Sequence, residues 1–143
     1  MPERIREIPY NYTSFSDKEI VYRLMGESWW EVVNQLRGER RTGRSARMLF
    51  EVLGDIWVVK RNPFLQDDLL ADAKRRKQLT DAMCHRLLQI EKRADENRQA
   101  LELLQAARKT VGEFESWLKH LAQQRSRISR KLGRITKKDN IDF

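Results

Sequence analysis

A chain of 143 residues has room for one domain of ordinary size. Its single cysteine and two histidines exclude an internally disulfide-stapled fold and a cysteine–histidine zinc fold. Basic residues (29) outnumber acidic ones (21), and 35% of the chain is charged; four Trp, five Phe and three Tyr are nevertheless more than a disordered chain keeps.

The opening string MPERIREIPYNY carries charges where a secretory leader needs an apolar run. No stretch approaches the ~18 apolar residues of a spanning helix. Residues 1–15, with Pro9, Tyr10, Tyr12 and Phe15, read as an extended aromatic arm laid against other structure. Ser16-Asp17-Lys18-Glu19 fits a capping box and predicts a helix over 17–25, ended by Gly26. Ser28-Trp29-Trp30-Glu31 repeats the box, predicting a second helix over 29–37.

LRGERRTGRSARMLF comes next, with Arg37, Arg40, Arg41, Arg44 and Arg47 around Gly38 and Gly43. An arginine-rich turn opening a helix can hold phosphate through N–H groups and guanidinium forks. Surface arginines paired with nearby carboxylates are the simpler reading of the string, which lacks the lysine and glycine spacing of a P-loop. Met48, Leu49, Val52 and Leu53 predict a short helix over 45–53, capped by Ser45 and closed by Gly54. Ile56-Trp57-Val58-Val59 is a β-branched and aromatic run before Asn62-Pro63, and predicts a strand over 56–60 whose partner lies elsewhere.

From Phe64 onward there is no proline and only two glycines, the pattern of long helices. Asp67-Asp68 starts a helical turn through Ala71, and Asp72 caps the long helical region. Leu79, Met83, Leu87, Ile90 and Ala94, then Leu101, Leu104, Val111, Phe114, Leu118 and Leu121, keep a spacing near 3.5, interrupted at Asn97 and Arg108. One helix over 73–132 would be about 90 Å long, too long for this chain to cover. A turn near residues 94–97, with Asn97 or Asp95 as cap, gives an antiparallel hairpin; a straight coiled-coil dimer is the alternative.

The charge excess is local. Residues 119–138 hold eight basic side chains and no acidic one, leaving 21 of each sign elsewhere. Such a run suits a solvated helix end, whose dipole is negative, or an electrostatic footprint for nucleic acid or an anionic membrane surface. Catalytic patterns are not legible. His85 and His120 have no repeated ligand spacing, and Cys84 beside His85 points about 100° away from it on a helix. Cys84 is expected to be a buried or half-buried, inert thiol. Trp29, Trp30 and Trp57 suit a core, or stacking on a base or cofactor ring.

Three strings, REIPYNYTSFSDKEIVYRLMG, LRGERRTGRSARMLFEVLGDIWVVKRNPFLQDDLL and KKDNIDF, together resemble the N-terminal region of large bacterial FAD-linked oxidoreductases of the D-lactate dehydrogenase and glycolate oxidase type. That region is a domain of unknown function, followed in those proteins by a vanillyl-alcohol-oxidase-like flavin domain and cysteine-rich iron–sulfur segments. The resemblance implies a parent reaction, oxidation of a 2-hydroxy acid with FAD as acceptor, and places the FAD loop, substrate residues and iron–sulfur cysteines beyond Phe143. It assigns no catalytic, cofactor or metal residue to this chain.

The expected fold is mostly α: a mixed region over 1–63 with short helices and one strand, a long helical hairpin over 64–138, and a linker over 139–143 toward a flavin domain. The expected function is a non-catalytic docking or assembly module for an FAD-dependent 2-hydroxy-acid dehydrogenase. Its docking or anion-binding residues are Arg40, Arg41, Arg44, Arg47, Tyr10, Tyr12, Phe15 and Trp57. The expected partner is a flavin domain, another protein or a second copy, and the expected location is cytoplasmic or peripheral to the inner membrane. The rival readings are a basic nucleic-acid-binding module, with nucleic acid the less favoured partner, and a coiled-coil adaptor.

Overall fold

A computed structural model of the chain describes residues 16–94 and 97–141, with side chains as far as residue 132. Helix α1 (Asp17–Met25) begins as its sequence predicts: Ser16 Oγ accepts from the Glu19 N–H at 3.2 Å. Gly26 ends it at φ 103° and ψ 162°, a region that only glycine enters without strain, and its N–H donates to the Tyr22 and Val21 carbonyls. A 3-10 turn (Glu27–Trp29) leads into α2 (Trp30–Gly38).

The largest departure from expectation is α3 (Gly43–Arg61), a single helix of 19 residues. The strand expected over 56–60 is its C-terminal part, and Gly54 lies buried inside it rather than ending it. The physical reason is burial on all sides. Every residue from 52 to 59 is buried, so no polar face interrupts the run, and a continuous apolar run cannot by itself separate a buried strand from a buried helix. Without a neighbouring strand, the helix is the way to satisfy these N–H and C=O groups. Among the described residues there is no strand.

Asn62 then ends α3 and starts α4 (Pro63–Ala71). Its Oδ1 accepts from the Phe64 and Leu65 N–H groups at 3.0 and 3.2 Å, with Pro63 at the first helical position, where no N–H is needed. The start expected at Asp67 thus moves four residues earlier. Asp72 accepts from the Lys74 and Arg75 N–H groups at the head of α5 (Ala73–Ala94). Asn97 accepts from the Ala100 N–H at 3.1 Å, opening α6 (Arg98–Ile141).

α5 and α6 lie along one another, tied near their junction by an ion pair between Glu91 and Arg108. They are not set apart from the shorter helices. α3 packs against α5, α2 touches α6, and α4 touches both long helices. One apolar cluster runs from Ile20 and Val21 of α1 through Leu53 and Ile56 of α3 to Phe114 and Leu118 of α6. The buried apolar positions described on α6 are Ala100, Leu103, Leu104, Ala107, Val111, Phe114 and Leu118, while Leu101 faces outward.

One ion pair is built into this interior. Asp55 of α3 accepts from Arg86 of α5 at 2.7 Å, with the two side chains only 8% and 18% exposed. Two charges at that depth are tolerated because each neutralises the other. The pair fixes α3 against α5 at one register.

Candidate docking surface

The arginine string lies where a tight turn joins α2 to α3. The Glu39 carbonyl accepts from the Gly43 N–H at 2.8 Å, and the Thr42 hydroxyl donates to the Leu36 carbonyl at 2.7 Å. Thr42 is therefore committed to the end of α2. Among the described residues no side chain caps the first turn of α3, which also carries no carboxylate. Ser45, the expected cap, sits instead inside that turn, buried, with its Oγ hydrogen-bonded to no described group.

Arg40 and Arg41 are exposed on this turn, and Arg44 and Arg47 are exposed on the opening turns of α3. Four guanidinium groups are thus gathered at the positive end of a helix, where cations are electrostatically disfavoured and an anion is favoured. Arg37 belongs to a different set of contacts. It pairs with Asp17 at 3.6 Å, bonds to Asn34, and lies over the Trp30 and Phe50 rings.

Trp57 is not on this surface. It is 5% exposed within α3, with the Arg23 and Arg61 guanidinium groups over its ring at 5.9 and 5.2 Å. The docking role expected of it gives way to a core role, because the helix around it is enclosed. Tyr10, Tyr12 and Phe15 lie outside the described residues.

A second surface begins where the core ends. Among the described side chains Leu118 is the last fully buried one of α6; Leu121 and Ala122 are half-buried, and residues 123–132 are all exposed. Arg125 makes a contact back to the body, donating to the Asp67 carbonyl of α4 at 3.1 Å. Beyond it Arg127, Arg130 and Lys131 are exposed, as are Ile128 and Leu132, each 59%. Those two apolar side chains are the functional candidates that sequence reasoning missed. The available signal was the three-and-four spacing that continues past Leu121, obscured by Arg125 and by the density of charge.

Other candidate groups stand apart from both surfaces. Cys84 is exposed on α5, contrary to the buried thiol expected, because the α5 face toward the core is taken by Met83 and Leu87. His85 and His120 are also exposed. Among the described residues no three His, Cys, Asp or Glu side chains group as metal ligands, and no helix is long and apolar enough to cross a membrane. The Asp81 carboxylate, hydrogen-bonded to Lys77 at 2.8 Å, holds that ammonium above the ordinary lysine range, at a fully exposed site.

No curated protein and no solved structure matches this chain. The family described as protein of unknown function (DUF3683) matches residues 3–116, a span that takes in the arginine turn and most of the packed core and stops short of the exposed end of α6. A match over that much of the sequence makes this chain a member of the DUF3683 family.

Proposed function

We propose that this chain is a non-catalytic helical docking and assembly module, and that the protein it serves is an FAD-dependent dehydrogenase of 2-hydroxy acids of the D-lactate or glycolate type. The observation that carries the docking reading is the way α6 continues past Leu118 with residues 123–132 all exposed and with Arg125, Arg127, Arg130 and Lys131 among them. Residues 123–132, nearly three turns of this helix, are all exposed and gain no burial from the body of the chain, and a partner supplies that burial. The arginines at 40, 44 and 47 add a second cationic face suited to carboxylates on a partner domain. The oxidoreductase parentage rests on the sequence resemblance alone, and FAD and iron–sulfur clusters belong to the partner in this reading.

The reading also takes α5 and α6 as the two arms of an antiparallel hairpin. Glu91 and Arg108 pair close to the junction, and Thr80 and Asp81 share a groove with Glu115 and Leu118 farther along, as opposed chain directions require.

The test has two parts. The purified chain is expected to bind no flavin and to oxidise neither lactate nor glycolate; a yellow preparation carrying FAD overturns the non-catalytic reading. Mixed with a flavin domain encoded downstream of codon 143, it is expected to form a complex in size-exclusion chromatography that Arg40→Glu, Arg44→Glu and Arg47→Glu together disrupt. No flavin domain in that reading frame overturns the parentage.

A further inference from the structure

We propose that the exposed end of α6 is a seam for one amphipathic helix of another protein, acidic along one edge; the proposal rests on the docking role proposed for this chain. The face of α6 that enters the core advances in alternating steps of four and three residues: Ala100, Leu104, Ala107, Val111, Phe114 and Leu118, all buried. The same steps continue without a break through Leu121, Arg125, Ile128 and Leu132. Arg125 is turned to α4 through the Asp67 carbonyl. Ile128 and Leu132, on the next two steps, carry the register of the core out into solvent.

The width of that stripe selects the kind of partner. On a helix of 3.6 residues per turn, Leu121, Ile128 and Leu132 fall within an arc of about 40°. A seam that narrow matches a single facing helix; a membrane surface or a globular core takes a face of roughly 100° or more. The flanks select its charge. Lys131 and Arg127 lie about 60° and 100° to one side of Ile128, and Ser129 and Ala122 lie about 100° and 120° to the other. On that second side Arg125, about 60° from Ile128, is held by the Asp67 carbonyl at 3.1 Å, so Lys131 and Arg127 make the other edge the basic one, and the facing helix carries its carboxylates along that edge.

The remaining occupants fit less well. A second copy of this segment brings basic residues against basic residues, since residues 119–138 contain no carboxylate. Duplex DNA or RNA takes up the cations through its phosphates and leaves Ile128 and Leu132 in water.

The test uses the full chain and synthetic helices of about three heptads, labelled for fluorescence anisotropy. The first has Leu and Ile in its seam and Glu beside it, which keeps it from pairing with itself. The second replaces each Glu by Lys; the third keeps Glu but has Ser in the seam. Saturable binding of the first is expected, with the other two weaker by about tenfold or more. Ile128→Ser is expected to weaken the first peptide by a similar factor while the thermal melt stays unchanged. Arg127→Glu with Lys131→Glu is expected to transfer preference to the Lys peptide.

Failure of the first peptide to bind overturns the proposal. Equal binding of the Ser-seam peptide overturns it too, leaving charge alone. So does a doubled mass in light scattering that Ile128→Ser returns to a single chain, or retention of phosphatidylglycerol vesicles or duplex DNA that depends on Ile128. The arginine-turn variants leave α6 intact, so the flavin-domain complex can fail while this seam binds, and the reverse.

Discussion

α3 and the exposed end of α6 are both regular helices, and they differ in what surrounds them. From 52 to 59 every residue of α3 is buried, including Gly54 and the charged Asp55. From 123 to 132 every residue of α6 is exposed, including Ile128 and Leu132. The first segment has helices on every side and the second has α4 as far as Arg125. Side-chain pattern sets which face a helix can bury, and the number of neighbours sets how much it does bury. A wholly buried run inside and an apolar stripe outside are two outcomes of that rule.

The strongest way to break the α3 side of the comparison is to strand its buried charge. Asp55→Ala leaves the Arg86 guanidinium without its counter-charge at an 18% exposed site, and a loss of about 3–5 kcal/mol in urea denaturation is expected. Asp55→Leu combined with Arg86→Met should recover most of that loss, because it removes both charges and fills the space. Next in size is a matched pair of truncations. Leu53→Ala, at a fully buried site, is expected to cost about 2–5 kcal/mol, and Ile128→Ala no more than about 0.5 kcal/mol. Equal costs would mean that Ile128 is packed against the body.

Gly26→Ala sharpens the comparison at the edge of the bundle. A methyl group there meets no atom within 4 Å, so the expected cost of about 1–3 kcal/mol comes from the backbone conformation alone. A melt unchanged by this substitution would show that the junction of α1 with the 3-10 turn relaxes. The smallest effect belongs to Lys77. Its pKa is raised by the hydrogen bond to Asp81, so whatever that pair contributes is complete below the ordinary lysine range and is lost only as pH rises through the raised folded value. Stability curves of the parent and Lys77→Met should therefore run parallel between about pH 5 and 8 and converge only in strong alkali.

Local signals were legible where one or two side chains decide the structure. Ser16, Asp72 and Asn97 cap the helices that their spacing predicts, because a short polar side chain beside free N–H groups acts within a single turn. Ile56 to Val59 misled as a strand because β-branched residues suit a pleated surface and a wholly buried helix alike. Arg40, Arg44 and Arg47 were legible as a surface cluster. For Trp57 the sequence left core and docking both open, and its burial, with Arg23 and Arg61 over the ring, selects the core.

By itself the sequence determined that the chain is helical, where most helices begin, and that the charge excess belongs to residues 119–138. Those are properties of neighbours along the chain. The tertiary structure alone decided that 56–60 is helix, that Asp55 and Arg86 meet across 31 residues, and that the apolar register of α6 leaves the core after Leu118 with Ile128 and Leu132 in water. Each of these depends on which elements lie alongside, and that is fixed by packing between segments far apart in the sequence.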